Sequence, residues 1–345
     1  MPLTKEQTAK IREELESCKK PLIYFHDDPD GLCSFLLFYK FVGDGKGVII
    51  KTTAEMGPVF AKKIEEYAPD KVFVLDKAVV SQGFFDKAAE LKAKVIWVDH
   101  HFPLKRENVS YFNPRLNKID DSNCVSRLCY DVVKDNLWIA MVGILGDWGL
   151  DLKDDFIKEY PELLPKEIRD PAEALYTTTL GRLVRIFSFI LKGKSHDAMK
   201  CVKILSRIDD PYELLKGETP RAKFLIRKYE GVNEEYKKLL NDALDKAKTD
   251  DKTLTYIYKA DRMSLTSDLS NELLYRFPNK VIIIGREKSG EVKLSLRSSK
   301  IELPKKIEKA LEGLDGYGGG HEYACGVNVK EKDFKVFINR LIKSL

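Results

Sequence analysis

Four short apolar runs in the first third of the sequence alternate with helical stretches, and no other feature limits the fold as strongly. The runs are PLIYF, GVIIK, KVFVLD and KVIWVDHH, and stretches such as GPVFAKKIEEYA and SQGFFDKAAELKA separate them. Strands and helices that alternate at this spacing predict a parallel sheet with helices on both faces. Ligands of such sheets bind beyond the carboxyl ends of the strands. We therefore expect a functional site at that edge.

Imidazole and carboxylate side chains are concentrated where these predicted strands end. They are His26 after the first strand, Asp76 after the third, Asp99, His100 and His101 after the fourth, and Asp147 after the apolar run LWIAMVGILG. Each residue taken alone has an ordinary explanation as a helix cap, a core residue or a turn residue. All of them fall at one rim of the predicted sheet, so together they predict a metal site.

The segment HDDPDG adds two more carboxylates to the end of the first strand. A single aspartate would be explained as the cap of the helix that follows. That explanation does not cover His26, Asp28 and Asp30 together. Moving a carboxylate out of water costs free energy, so such a cluster implies a bound cation or substrate.

The donor set indicates which metal is expected. Carboxylates with imidazole and without thiolate suit Mn²⁺ first, with Mg²⁺ or Co²⁺ as alternatives. The carboxylates are more numerous than one ion requires, and two ions about 3.5–4 Å apart are the usual arrangement for hydrolysing phosphate esters. A shared carboxylate would bridge the two ions, and a hydroxide between them is nucleophilic at neutral pH.

Composition sets the class of protein. The chain has 345 residues, of which 43% are hydrophobic, and this is long enough for two ordinary domains. Its six cysteines form no CxxC pair, which argues against a zinc ribbon or a secreted disulfide framework and is typical of reduced thiols in a cytoplasmic protein. No window approaches the ~18 apolar residues of a membrane span. The net charge of +5 is only weak evidence for a phosphate-rich partner.

Three regions are expected along the chain. Residues 1–150 carry the strand and helix alternation. Residues 151–250 form a helical, charged connector, with DPAEALYTTTLGRLVRIFSFILKG as one buried helix and PRAKFLIRKYEGVNEEYKKLLNDALDKAKTDD as a long amphipathic helix. Residues 251–345 form a smaller α/β module with strands TLTYIYK, NKVIIIG and EVKLSLRSS. A turn at Ser289-Gly290 joins the last two strands as a hairpin.

Two features of the last region suit an anionic ligand. In VKLSLR, apolar residues alternate with polar and basic ones up to Arg297, which predicts a core face and a polar face that is either solvated or in contact with phosphate. The run Gly318, Gly319 and Gly320 is either a flexible turn or a backbone that a phosphate approaches closely. His321 follows directly and favours a ligand site. These residues are the candidates for substrate binding.

The ordered set of motifs resembles a known family. HDDPDG, the aspartate that ends VFVLD, the triplet VDHH and the aspartate of GILGDWG resemble the four motifs of the DHH phosphoesterase superfamily. Near the C-terminus, GYGGGHEYACG resembles the glycine-rich signature of the DHHA1 domain of RecJ-type exonucleases and nanoRNases. The resemblance implies an N-terminal parallel-sheet DHH domain, a helical connector and a C-terminal DHHA1 domain.

The resemblance also implies a role for each site residue. One ion would be held by His26, Asp28 and Asp76, and the other by Asp30, Asp76, His100 and Asp147. His101 would donate to the scissile phosphate, and Asp99 would accept a hydrogen bond that orients an imidazole. Arg297, Gly318, Gly319, Gly320 and His321 would hold the substrate's backbone or end.

The sequence departs from the family pattern at three positions. Lys77 directly follows Asp76, where relatives often carry an apolar residue, Tyr317 stands where a further glycine is common, and Cys325 stands where alanine is common. None of these differences removes a ligand, so catalysis is expected and substrate preference stays open.

The resulting hypothesis is a Mn²⁺-dependent phosphodiesterase that removes nucleoside monophosphates from single-stranded DNA or from short RNA or DNA oligonucleotides. A metal centre on one domain and an anion-binding loop on the other would grip a short polyanion at one end, which favours an exonuclease. Hydrolysis of a cyclic dinucleotide or of polyphosphate is the alternative within the same chemistry. A non-catalytic replication or repair scaffold that binds nucleic acid is the alternative from another class, with replication or repair proteins as partners in either case.

Overall fold

The computed structural model describes residues 3–51, 55–117, 123–247, 252–260 and 263–345. The chain forms two compact units, Met1–Tyr229 and Glu230–Leu345. The boundary between them lies inside one long helix, which begins at Pro220. Each unit contains one five-stranded sheet.

The first unit begins with the predicted alternation. In chain order its elements are α1 (Lys5–Glu16), β1 (Pro21–His26), α2 (Pro29–Val42), β2 (Lys46–Ile50), a 3₁₀ helix (Pro58–Ala61), α3 (Lys62–Tyr67), β3 (Lys71–Leu75), α4 (Gln82–Glu90), β4 (Lys94–Val98) and β5 (Ser110–Phe112). The strands are parallel in the order β2-β1-β3-β4-β5. The prediction of a parallel sheet from the four apolar runs is therefore confirmed. The fifth strand was not predicted, because three residues are too few to show an alternation.

Aromatic packing shows why both faces of this sheet are covered. Successive residues of a strand point to opposite faces. Tyr24 of β1 makes an edge-to-face contact with Phe84 of α4, with ring centroids 5.7 Å apart. The next residue, Phe25, stacks on Phe35 of α2 at 4.6 Å. Helices α4 and α2 thus pack against opposite faces, and the central strands are buried on both sides.

The remainder of the first unit is helical. Its elements are a 3₁₀ helix (Pro114–Asn117), α5 (Val125–Val133), α6 (Leu137–Gly146), α7 (Lys153–Glu159), α8 (Pro171–Thr177), α9 (Thr179–Ile190), α10 (Ser195–Leu205), α11 (Pro211–Lys216) and α12 (Pro220–Lys246), which crosses into the second unit. The apolar run LWIAMVGILG is α6. Among the helices that the structure describes, none is both long and apolar enough to cross a bilayer.

One predicted helix of this region is wrong, because the segment expected to form a single buried helix forms α8 and α9. Thr178 separates them in an extended conformation, and its side-chain oxygen accepts a hydrogen bond from the Gly181 N–H at 3.1 Å. Its hydroxyl also donates to the Ala174 carbonyl at 2.6 Å. Threonine side chains compete with the helical backbone in this way, and the run of three threonines ends one helix and begins the next. The long amphipathic helix was predicted correctly as α12.

The second unit has a mixed sheet. Its elements are β6 (Thr253–Lys259), α13 (Thr266–Arg276), β7 (Val281–Lys288), β8 (Glu291–Arg297), α14 (Pro304–Leu311), β9 (Gly316–His321), β10 (Ala324–Lys330) and α15 (Glu331–Ser344). The strand order is β6-β7-β8-β10-β9, with β6 parallel to β7 and the other pairs antiparallel. The predicted α/β class is confirmed for this unit too.

The hairpin of β7 and β8 forms as predicted, but its polar face is only partly solvated. Ser289 and Gly290 both have left-handed φ angles, 53° and 74°, as a two-residue hairpin turn requires. The apolar residues of β8 face the core formed with α14 and α15. On the other face, Ser295 is 5% exposed and shares a 3.1 Å hydrogen bond with Ser270 of α13. Helix α13 therefore covers the middle of a face that the alternation alone left open to solvent.

Candidate metal centre

Three neighbouring strands bring the candidate ligands to one edge of the first sheet. His26 is the last residue of β1, and Asp76 and Asp99 directly follow β3 and β4. In the sheet, β3 lies between β1 and β4, so Asp76 lies at the middle of the cluster. Asp147 reaches the same cluster from the end of α6, where its Oδ2 lies 3.8 Å from His100 Nδ1.

Asp76 has the most unusual environment in this cluster. Its side chain is 2% exposed, its φ angle is +55°, and its N–H donates to the Val98 carbonyl at 3.1 Å. Its Oδ2 atom is buried without a hydrogen-bond partner, and His26 Nδ1 lies 3.6 Å from it. His100 Nε2 lies 3.6 Å from Oδ1. A buried carboxylate oxygen without a partner is costly in the absence of a cation.

One group of possible ligands consists of His26, Asp28 and Asp76, with their ligand atoms within 4.8 Å of one another. His26 Nδ1 lies 2.6 Å from Asp28 Oδ2, and the charge of Asp28 raises the pKa of His26 to about 12. Burial alone would raise the pKa of Asp28, but the nearby His26 and the Gly31 N–H hold it well below its usual range. A divalent ion would replace the imidazole proton, because a ligating nitrogen must be neutral.

A second group consists of Asp76, His100 and His101. The two imidazole rings meet edge to face with centroids 4.4 Å apart. Asp99 is fully buried and accepts from the His101 backbone N–H at 3.1 Å, while its other oxygen lies 2.8 Å from His101 Nδ1. Asp99 therefore orients His101 in particular, where the sequence had indicated only an imidazole. The structure also brings His101 within ligand distance of Asp76, although the family resemblance gave it a role at the phosphate.

The third group contains Asp30, Cys124 and Asp147. The two oxygens of Asp30 accept backbone hydrogen bonds from Val125 at 2.8 Å and Ser126 at 2.7 Å, so this carboxylate caps the N-terminus of α5. Cys124 was not a candidate in the sequence, where it lies in no motif. Burial raises the pKa of its thiol well above its usual value, with a further contribution from Asp30. A thiol that stays protonated is a poor metal ligand.

Crowded carboxylates dominate the electrostatics of the centre. Burial, reinforced by the charges of Asp28 and Asp30, raises the pKa of Asp76 well above its usual value. The same causes raise the pKa of Asp147 to about 8. Burial is also the main cause of the raised pKa of Asp30. Carboxylates and imidazoles are donors that suit Mn²⁺ and Mg²⁺. The buried Oδ2 of Asp76 has no hydrogen-bond partner and is available to a cation. These residues therefore fit divalent cations.

Three basic residues at the centre were not candidates from the sequence. Lys77 is buried directly beside Asp76, and burial lowers the pKa of its ammonium. Lys51 Nζ lies 3.6 Å from Asp27 Oδ2, which gives Asp27 a partner where the sequence offered no role. The Nε–H of Arg115 donates to the His100 carbonyl at 2.9 Å. The contacts of Lys51 and Arg115 join segments that are separated in the sequence, so no local pattern could have shown them.

The candidate substrate residues of the second unit lie on strands at one end of its sheet. Arg297 pairs with Ala324, which pairs in turn with His321, so the three residues share one row and one face. Since neighbouring strands lie about 4.8 Å apart, the Cα atoms of Arg297 and His321 are about 10 Å apart. Arg297 Nε donates to Asn271 Oδ1 at 2.6 Å, and His321 is exposed.

The glycine run is part of edge strand β9, which excludes one of the two interpretations that the sequence left open for its backbone. It is not a flexible turn. Gly320 has a φ of +148°, and a Cβ atom there would lie 2.4 Å from the Ala324 carbonyl oxygen. At Gly319, a Cβ atom would meet nothing within 4 Å. Glycine is therefore required at Gly320 by the backbone, while Gly319 leaves an open surface on the face of Arg297 and His321.

Solved structures with the same fold include hydrolases. RecJ from Thermus thermophilus in complex with Mn²⁺ matches with a TM-score of 0.72 and 17% identity over 100% of this chain and 55% of that chain. An exonuclease RecJ bound to manganese matches with a TM-score of 0.63 and 18% identity over 100% and 95% of the two chains. The pGpG-specific phosphodiesterase PggH from Vibrio cholerae gives 0.53 and 11% over 94% and 98%. At these identities the likeness shows the fold, and this chain spans about half the length of the Thermus protein. A comparison with curated protein sequences found no match.

The two domains and the cluster at the strand ends define the class of protein, a two-domain phosphoesterase fold. The model of the DHH family, N-terminal domain, matches residues 20–162, and the model of the DHHA1 domain matches residues 254–345. The chain belongs to the DHH family of phosphoesterases and carries a DHHA1 domain. The resemblance inferred from the sequence motifs is confirmed.

Proposed function

We propose that the protein is a phosphodiesterase that uses two divalent ions, Mn²⁺ first, to release nucleoside monophosphates from one end of single-stranded nucleic acid or short oligonucleotides. The observation that supports this most directly is the buried carboxylate of Asp76, whose Oδ2 has no hydrogen-bond partner and which belongs to two groups of possible ligands. A carboxylate in that position suits a bridge between two ions.

The proposed ligand set follows the clusters, with one exclusion. One ion takes His26, Asp28 and Asp76, and the other takes Asp30, Asp76, His100 and Asp147. Cys124 is left out, because burial keeps its thiol protonated and because Mn²⁺ prefers oxygen and nitrogen donors. Asp30 keeps its two backbone hydrogen bonds, since each carboxylate oxygen has a second lone pair for an ion.

The chain's own residues complete the chemistry. When bound, the ions supply a hydroxide nucleophile at neutral pH and spread the charge of the phosphoryl oxygens. Asp99 accepts a hydrogen bond from Nδ1–H of His101, and the doubly protonated ring would donate from Nε2–H to a non-bridging phosphoryl oxygen. Asp99 acts by fixing the orientation of that ring.

In the second unit, Arg297, Gly318, Gly319, Gly320 and His321 hold the substrate's phosphates. The common row of Arg297 and His321 and the open surface at Gly319 support this role. The forked guanidinium of Arg297 matches the geometry of phosphate oxygens. A ligand phosphate would compete with Asn271 for that guanidinium.

A dinucleotide phosphodiesterase is the second candidate. It is favoured by the fold shared with PggH, a protein described as pGpG-specific, over nearly the whole of both chains. A non-catalytic scaffold is disfavoured because every proposed ligand is present in the chain. The six cysteines are all unpaired and buried, which supports the expected reducing, cytoplasmic setting.

A time course with Mn²⁺ tests the proposal. The substrates are end-labelled single-stranded DNA and RNA from dinucleotides to long oligomers, with a cyclic dinucleotide and polyphosphate alongside and Asp76→Asn as the inactive control. We expect products that shorten by one nucleotide at a time. Loss of dinucleotides alone would favour the second candidate. Loss of polyphosphate alone, or of nothing, would overturn the nuclease proposal.

A further inference from the structure

Exposed aromatic rings in the first unit are concentrated beside the metal centre. Among the described residues of this unit, three aromatic side chains are strongly exposed: Phe102, Trp148 and Phe224. Phe102 directly follows His101, and Trp148 directly follows Asp147. The third ring, Phe224, lies on α12 beneath the Lys200 ammonium at 4.9 Å. Two of the three therefore adjoin residues assigned to the centre.

Trp148 has a strained backbone conformation and a partly exposed side chain. Its φ angle is +63°, a left-handed conformation that bulky residues rarely adopt, and its residue surface is 42% exposed. Its N–H donates to the Leu145 carbonyl at 3.1 Å, which fixes the turn after α6. Tyr176 of α8 supports the indole through an edge contact, with centroids 6.4 Å apart. A bulky residue in a left-handed conformation with this much of its surface exposed points to a functional contact for the indole.

Phe102 is also fixed in place and exposed. It is 73% exposed, and the Arg115 guanidinium lies 5.0 Å from the centre of its ring. The same arginine donates from Nε to the carbonyl of His100. One side chain therefore ties the ring to the backbone of a proposed ligand, while most of the ring surface stays available.

Phe102 and Trp148 each lie next to one of two proposed ligands that are close together in the structure. His100 Nδ1 and Asp147 Oδ2 are 3.8 Å apart. Phe102 lies two residues after His100, and Trp148 lies one residue after Asp147. Since successive Cα atoms are about 3.8 Å apart, each aromatic Cα lies within about 8 Å of the Cα of its ligand neighbour.

We propose that Trp148 and Phe102 form a stacking subsite for the nucleobases that flank the scissile phosphate. Every nucleobase has a π face that stacks on an aromatic side chain, so such a subsite tolerates any sequence. Inorganic polyphosphate has no ring and gains nothing from it. This inference rests on the proposed phosphodiesterase function and specifies its substrate class: phosphodiesters whose neighbouring sugars carry bases.

Tryptophan fluorescence tests the subsite without turnover. Trp97 and Trp138 are buried, so Trp148 is the one tryptophan that a ligand can stack on. Full-length protein in chelator at low salt is titrated with a short single-stranded DNA, with the same strand made of abasic units, and with tripolyphosphate. We expect the DNA alone to quench the emission. Trp148→Phe should abolish the quenching and keep the affinity, while Trp148→Ala should weaken binding by about 10-fold.

Kinetics with Mn²⁺ separates the subsite from the proposed function. Trp148→Ala and Phe102→Ala should each lower kcat/KM for DNA by about 10-fold and leave the abasic strand unaffected. Phe224→Ala is the matched control and should change neither. Thermal melting of each variant checks that it is folded. Equal losses on DNA and on the abasic strand, together with quenching by tripolyphosphate, would overturn the subsite. No turnover of any substrate by the wild-type protein would instead overturn the proposed function and leave the quenching test intact.

Discussion

At the scale of single residues, Asp76 combines features that lower stability. It is buried, it has a left-handed φ angle, and its Oδ2 has no hydrogen-bond partner. Burial and the neighbouring carboxylates raise its pKa. These costs are expected at a functional site, where a bound cation compensates for them.

Replacing Asp76 by asparagine separates its function from its contribution to folding. Asn tolerates a left-handed φ well and removes a charge from a crowd of carboxylates. We expect Asp76→Asn to lose turnover and Mn²⁺ binding, with the free energy of unfolding of the metal-free protein unchanged within about 0.5 kcal/mol or increased. Chemical denaturation, metal analysis and the nuclease time course measure the three quantities.

The matched control for this prediction is Asp155→Asn. Asp155 is an exposed aspartate of α7 whose carboxylate pairs with Lys158 at 2.8 Å. It should keep full activity and metal content. Substantial turnover by Asp76→Asn would contradict the bridging role.

The metal-free protein should become less stable as pH rises. His26 has a pKa of about 12 in the folded protein against an ordinary value of 6.5, and Asp147 has a pKa of about 8 against 3.8. Both groups hold a proton more tightly when folded, so their stabilisation is complete below the ordinary pKa and is lost as pH rises towards the folded one.

Thermal melting in chelator checks this sign. Between about pH 6 and about pH 9 the melting midpoint of the first unit should fall by roughly 4 °C or more. One kcal/mol of unfolding free energy corresponds to about 2–4 °C for a domain of that unit's length. Stabilisation by added Mn²⁺ should grow over the same range, because ligands must lose their protons to bind it. Asp147→Asn should flatten the fall in chelator. A midpoint that rises with pH would refute the assigned environments.

The sequence was sufficient to predict residues that follow strands. His26, Asp76 and His100 were placed at one edge because parallel strands end together, a rule that needs no long-range information. Cys124 and Arg115 were missed because their proximity to the centre depends on how distant loops and helices pack. The pairing of Asp99 with His101 also depends on side-chain conformation, which a sequence pattern does not specify.

At the scale of elements, α6 positions Asp147 through close packing at Gly143. A Cβ atom at Gly143 would lie 2.4 Å from Ser126 Oγ of α5 and 2.8 Å from Cys33 Cβ of α2. The three helices therefore approach one another more closely than any larger residue would allow. Asp147 is the residue that ends α6, so a shift of this helix moves a proposed ligand.

Gly143→Ala should therefore affect both stability and metal binding. Overpacking of a tight core typically costs about 1–3 kcal/mol of unfolding free energy, and we expect a loss in this range together with a smaller stabilisation by Mn²⁺. Gly231→Ala in α12 is the control, because a Cβ atom there meets nothing within 4 Å. It should raise stability by up to about 1 kcal/mol through helix propensity. Equal effects of the two substitutions on metal-dependent melting would show that α6 does not position the ligand.

Helices and strands with a clear hydrophobic periodicity were predicted well, and elements without such a periodicity were not. The alternation along β8 and the amphipathic pattern of α12 are long enough to identify a strand and a helix. The three-residue β5 has no pattern of its own and forms by pairing with β4. The break at Thr178 depends on side-chain hydrogen bonds, which apolar periodicity does not record.

At the scale of the whole molecule, the two units divide the proposed work. The proposed metal ligands all belong to the first unit, and the row of Arg297 and His321 belongs to the second. The chemistry and the binding of substrate phosphates should therefore respond separately to substitution. A residue of the second unit that binds phosphate should change the affinity for substrate and its salt dependence while the metal content stays the same.

Arg297→Ala tests that division directly. We expect KM for a short oligonucleotide to rise roughly 10-fold and the slope of log affinity against log salt to decrease by about 1, because one phosphate contact is lost. Bound Mn²⁺ should be unchanged. Lys335→Ala removes the same charge from an exposed position on α15, whose helix packs on the opposite face of the sheet, and should change neither parameter. If Arg297→Ala instead reduced the metal content, Arg297 would contribute to metal binding rather than to phosphate binding. If it left KM and the salt slope at the wild-type values, the row on the second sheet would not be where this enzyme holds the substrate's phosphates.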